Sequence, residues 1–173
     1  MSRILAFRPE LVHETVFIAP GVHILGDVTI GEDSSVWFNA VVRGDTEAVR
    51  IGKGTNIQDG CILHSDPGFP CVLGDGVTVA HSAIVHGAIV EDNVMIGMRS
   101  VVMNGARIGT NSIIGVGAVV TAGSQIPPRS LVLGIPAKVR RRLEENEDEV
   151  IARTARHYVD EAREFLKAYQ RST

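Results

Sequence analysis

Three of the six histidines in this chain, His64, His81 and His86, fall in one stretch, Asn56 to His86. Neutral imidazole suits zinc and iron. Three imidazoles with one open position make the catalytic kind of zinc site, in contrast to the closed structural kind. Zinc held that way lowers the pKa of its water to about 7 and supplies hydroxide at neutral pH. The question for the rest of the chain is what brings residues this far apart in sequence to one ion.

The answer is a repeat. Aliphatic residues recur every six positions at Ile18, Ile24, Ile30, Val36 and Val42, then after a three-residue slip at Ile51, Ile57 and Leu63. A longer break, Ser65 to Val72, precedes Leu73, Val79 and Val85. A five-residue step then leads to Val90, Ile96, Val102, Ile108, Ile114, Val120, Ile126 and Val132. A small or apolar residue sits four places on, as at Ser34, Ala40, Thr55, Ala83, Ser100 and Ser112. This period predicts a hexapeptide β-helix, an all-β parallel core whose triangular coils take three short strands each. The aliphatic residue fills the interior and the small one fits where the wall is close.

Counted on that period, hexads three apart stack on one face. His64 follows Leu63 and His86 follows Val85, so both take the second place and stack at a strand separation of about 4.7–4.9 Å. Arg43 falls in the same column one coil below and Met103 one coil above. His81 takes the third place on the preceding face, with Asp59 below it and Met98 above. It points away across a corner. A His81 from a neighbouring copy, packed in parallel about a three-fold axis, completes the site. The same register sets Arg43 against the neighbour's Asp59. A cyclic homotrimer then carries three metal sites.

The chain resembles the γ-class carbonic anhydrases and their relatives, among them proteins labelled ferripyochelin-binding. The matching residues are the runs 36–45 (VWFNAVVRGD), 55–59 (TNIQD), Leu63-His64, 77–87 (VTVAHSAIVHG) and 134–138 (GIPAK), and they span nearly the whole chain. The resemblance implies a left-handed β-helix, a trimer with the metal between subunits, and reversible hydration of carbon dioxide to bicarbonate. It implies zinc, with iron or cobalt as alternatives, on His64, His81 and His86. It gives Gln58 the role of hydrogen-bonding the metal's water, and places Arg43, Asp45, Asn56, Asp59 and Tyr158 at the interface and around the site. The chain departs from the best-characterised members in its carboxylates. Thr46 stands where they carry a glutamate after Arg-Gly-Asp, with Glu47 one step on, and the loop after His64 has no glutamate. Ala80 replaces a more usual glycine. Metal binding survives these changes, whereas proton removal, and with it turnover, is expected to be slower.

The loop Ser65-Asp66-Pro67-Gly68-Phe69-Pro70 leaves the coil beside a proposed ligand, so Asp66 and Phe69 should border the site. An unperturbed Asp has a pKa of about 3.9, too low to accept a proton well from water near 7. Replacing Asp66 is therefore expected to matter little.

The remaining features fit one domain, 1–173: a lead-in over 1–17, coils over 18–137 and a helix over 146–170 on the outside of the coils. The helix reading rests on Val150, Ile151, Ala155, Tyr158, Val159, Ala162 and Leu166, with Asn146 or Asp148 at the N-cap. A net charge of −3 argues against nucleic acid as a partner. No run of eighteen apolar residues spans a membrane. The absence of a signal-like N-terminus and only two cysteines, Cys61 and Cys71, point to the cytoplasm, with Cys61 a buried thiol. Two other functions are compatible with such coils. One is a hexapeptide acyltransferase, since Gly134-Ile135-Pro136-Ala137-Lys138 occurs there too; the other is a non-catalytic trimeric scaffold or binding protein with a vestigial metal site.

Overall fold

The structure is a computed structural model that describes residues 6–170; residues 1–5 of the expected lead-in, and 171–173, lie outside the described residues. It is a parallel β-solenoid of about six turns with one C-terminal helix. One face is a ladder that runs Phe17–Ile18, Ser35–Val36, Asn56–Ile57, Thr78–Val79, Met95–Ile96, Ile113–Ile114 and Ser130–Leu133. Ile18, Val36, Ile57, Val79, Ile96, Ile114 and Val132 are its successive register partners, three hexads apart in each step. The other two faces share the long strands His23–Ile30 and Val41–Ile51, which turn a corner between them.

The aliphatic places build the interior. Val36, Val42, Ile57, Leu63, Val79, Val85, Ile96, Val102 and Ile114 form one buried cluster together with the small residues Ala40, Cys61, Ala83 and Ala106. Each strand is only two or three residues long over much of the coil, so none would persist alone. The stack of coils buries a continuous core that no single repeat could. Corners need left-handed backbone. Asn39, Gly60, Ser82, Arg99 and Gly117 recur at one of them with φ between 56° and 67°.

The three-residue slip has a structural meaning. Ile24 pairs with Val42 and Ile30 with Ile51, and the register shifts between Gly26 and Val28. The extra residues bulge from the coil at Asp45 to Ala48. Gly26 and Gly44 permit this crossing, since a Cβ on Gly26 would lie 2.2 Å from the Gly44 carbonyl oxygen.

The ladder ends in an element that the period does not contain. Lys138–Arg142 returns antiparallel to Ser130–Leu133, with all five residues exposed. The helix then runs Glu145–Gln170. Its N-cap position thus precedes Glu145 and is neither Asn146 nor Asp148; instead Asp148 pairs with Arg129, and Glu147 with Arg141 at 2.6 Å. The helix packs on the ladder face through an aromatic cluster in which Trp37 meets Phe165 and Tyr158 edge-on at 5.2 and 5.4 Å.

Candidate metal centre

Register places the first two histidines. Ile62–His64 pairs with Ile84–His86, and His64 is opposite His86. Nδ1 of His64 comes within 3.0 Å of Nε2 of His86. The protons on these rings follow from their other partners. Nε2 of His64 lies 3.1 Å from Oδ1 of Asp45, and a carboxylate only accepts, so that nitrogen carries the hydrogen. Nδ1 of His86 lies 2.6 Å from Oδ1 of Asn104, whose amide nitrogen donates to Oδ2 of Asp66 at 2.7 Å. That amide is therefore oriented with its oxygen towards His86, and Nδ1 of His86 is the donor. In the neutral rings both inner nitrogens then present lone pairs to each other. Such a pair calls for a cation between them. Two nitrogens on a tetrahedral zinc, with bonds of about 2.0–2.1 Å, stand about 3.3 Å apart, so a shift of a few tenths of an ångström fits the observed pair to the ion.

The bulge and the loop supply the surroundings. Asp45, on the bulge, is held by Arg43 at 2.6 Å. Asp66, expected to border the site, comes close to both histidines. One ligand atom each from His64, Asp66 and His86 lie within 4.8 Å of one another. Ser65 and Glu47 fix the loop's base: Ser65 Oγ donates to the Glu47 carbonyl at 2.7 Å and Gly68 N–H donates to the Glu47 carboxylate at 3.1 Å. Phe69 covers Gly87 and Gly105, where an added Cβ would meet it at 2.9 and 3.2 Å.

His81 stands elsewhere. It precedes the left-handed corner residue Ser82 and is outside the His64–Asp66–His86 group. Its Nδ1 donates to Oδ2 of Asp59, one coil below, at 2.8 Å, which leaves Nε2 as the lone-pair nitrogen on a half-exposed ring. Asp59 is thus engaged within its own chain, as is Arg43.

Gln58 and Asn56 are buried, at 3% and 1% exposure. The Gln58 oxygen accepts the His81 backbone N–H at 3.1 Å, and its nitrogen donates to the Asn56 oxygen at 3.1 Å. Asn56 in turn donates to Thr78 Oγ1 at 2.9 Å. This chain of amides fixes the backbone that carries His81. Tyr158 lies on the helix against Trp37; burial, with the charges of Glu161 and Asp59 adding to it, raises its pKa. The residue that the sequence did not single out is Asn104. Its signal was its place, the third of the Val102 hexad, directly above Gly87.

Relatives bear on what such a centre is for. A relative from Methanocaldococcus jannaschii, named as a probable carbonic anhydrase, is 54% identical over 92% of this chain and all of its own length. Gamma carbonic anhydrase 2 of Arabidopsis thaliana mitochondria is 37% identical over 88% of this chain, which spans 57% of that protein. The chain belongs to the γ-class carbonic anhydrase family. This γ-class chain also carries the bacterial transferase hexapeptide repeat, matched over residues 11–44 and 87–122. Among solved structures, a hexapeptide transferase family protein of Anaplasma phagocytophilum superposes with a TM-score of 0.86 at 36% identity, over 89% of this chain and 91% of that one.

Proposed function

We propose that this γ-class protein catalyses reversible hydration of carbon dioxide to bicarbonate at a metal centre shared between copies of the chain in a homotrimer. The observation that carries the reading is the pair of facing lone-pair nitrogens on His64 and His86, 3.0 Å apart. The residues that would hold the ion are these two and His81 of a neighbouring copy, whose Nε2 is left free by Asp59. Zinc suits this donor set, and iron and cobalt are compatible with it. When bound, such an ion supplies Lewis acidity that makes water a nucleophile near neutral pH.

The chain's own residues do the rest. Asp45 and Asp59 set the tautomers of His64 and His81. Gln58 fixes the turn that presents His81, and its unspent N–H is the group available to orient water. An exposed apolar strip supports the trimer. Met98 and Val116 stack above His81 at 46% and 68% exposure, and Ile62, on the adjacent face, is 41% exposed. Covering that strip by a second copy would bring the two histidine columns together. Among the described residues no helix is long and apolar enough to cross a membrane.

Exchange of labelled oxygen between carbon dioxide and water, with and without a chelator, tests the activity. Chelator-sensitive exchange supports it. A metal-loaded trimer without exchange overturns it and leaves a non-catalytic binding role. The transferase name of the Anaplasma relative favours a second reading, acyl transfer; turnover of an acyl-CoA would support that one.

A further inference from the structure

Asn104 uses both ends of one amide. Its oxygen faces Nδ1 of His86 at 2.6 Å and its nitrogen faces Oδ2 of Asp66 at 2.7 Å. It thereby joins residues from three separate segments: a coil strand, the loop after His64 and the next coil up. Everything nearby accommodates it. Gly87 lies directly beneath with φ 58°, and a Cβ there would come within 2.5 Å of the Asn104 oxygen. Phe69 N–H donates to the Asp66 carbonyl at 2.8 Å, so the turn that carries the Asp66 carboxylate is itself closed.

We infer that Asn104 is a positioning residue for the metal centre, working with Asp66. It holds the proton of His86 on Nδ1, which presents Nε2 as the ligand, and it pins the Ser65–Pro70 loop over the site. Asp66 acts as the anchor that orients the amide. Without Asp66 the amide could flip and offer its N–H groups to His86, which would favour the tautomer that cannot bind through Nε2. The inference rests on the proposed metal centre, although the tautomer itself can be observed whether or not the centre is catalytic. Partners of this kind, behind a metal-binding histidine, typically change metal affinity about 10–100-fold when removed.

The test uses the full-length chain and three variants: Asn104→Leu, Asp66→Asn and the double variant D66N/N104D. In the double variant the amide and carboxylate trade places, so position 66 donates and position 104 accepts from both sides. Zinc affinity is measured by competition with a chromophoric chelator. The His86 tautomer is read from its ring ¹⁵N shifts. The wild type should carry the His86 proton on Nδ1. Asn104→Leu should bind zinc about 10–100-fold more weakly and lose that single tautomer. The double variant should recover both properties. A His86 proton on Nε2 in the wild type overturns the inference, as does Asn104→Leu with unchanged zinc affinity. If Asn104→Leu does not fold, the double variant decides: weak zinc binding in a folded D66N/N104D protein overturns the inference. A wild type that takes up no zinc contradicts the metal centre itself, and the ¹⁵N shifts then judge the tautomer alone.

Discussion

Nδ1 of His64 and Nε2 of His86 face each other across 3.0 Å, each with its lone pair inward because Asp45 and Asn104 hold the protons of the opposite nitrogens. A cation between the two nitrogens would remove the repulsion of their lone pairs. Metal binding should therefore stabilise the fold. At a free zinc concentration of about 100 Kd the gain is about 2.7 kcal/mol, read as a rise in thermal midpoint that a chelator reverses. His64→Ala or His86→Ala should abolish the metal-dependent rise while the chain stays folded.

Gly87 sits between the coil and the Asn104 amide with φ 58°. Gly87→Ala forces a Cβ into the left-handed region, which costs roughly 1–2 kcal/mol, and pushes it against Asn104 and Phe69. A lower unfolding midpoint in denaturant together with weaker zinc binding is expected. By contrast Gly117→Ala, whose Cβ would meet nothing within 4 Å, should lose similar stability and keep its metal affinity.

Burial pushes the thiols of Cys61 and Cys71 up to about 12. Both are fully enclosed by the coil, and thiolate is the reactive form. A thiol reagent at mildly alkaline pH should label neither in the native protein and both after unfolding. Rapid labelling of the native chain would mean that the coil opens beside the site.

Asp66 is tied to Asn104, and Glu47 to the loop backbone, so neither carboxylate is a free carrier of protons. Proton transfer to buffer should then limit turnover. Raising the concentration of a small imidazole buffer should increase the initial rate of hydration. A rate independent of buffer would point to an internal shuttle. Asp66→Asn should act through metal affinity and the loop, a larger effect than the expectation that Asp66 matters little.

Much of this was legible in the chain because a six-residue period is itself a coordinate system. Counting hexads from Ile18 is enough to place His64 opposite His86 and Asp59 beneath His81, since the aliphatic residues can only point inward. The solenoid followed from the same count. What the count does not reach is where irregular segments fold back. Asn104 meets Asp66 across 38 residues, through a loop that leaves the period. The burial of Gln58 depends on a hydrogen bond to a backbone group in the next coil. The strand Lys138–Arg142 has five exposed residues and hence no hydrophobic alternation to announce it. Its existence depends on the open ladder edge at Ser130–Leu133, a tertiary fact.

In the proposed trimer each centre draws His64 and His86 from one copy and His81 from the next. Trimers of His64→Ala and of His81→Ala should each be metal-free. Unfolded together and reassembled in equal amounts, they should regain about one site in four, because only a His81→Ala copy beside a His64→Ala copy in the right order completes a centre. The measurement is bound zinc per chain, with oxygen exchange followed on the same sample. Recovery near that fraction in both readouts is the predicted result. Folded mixed trimers that hold no zinc, or a His81→Ala trimer that binds as the wild type does, would contradict a shared site.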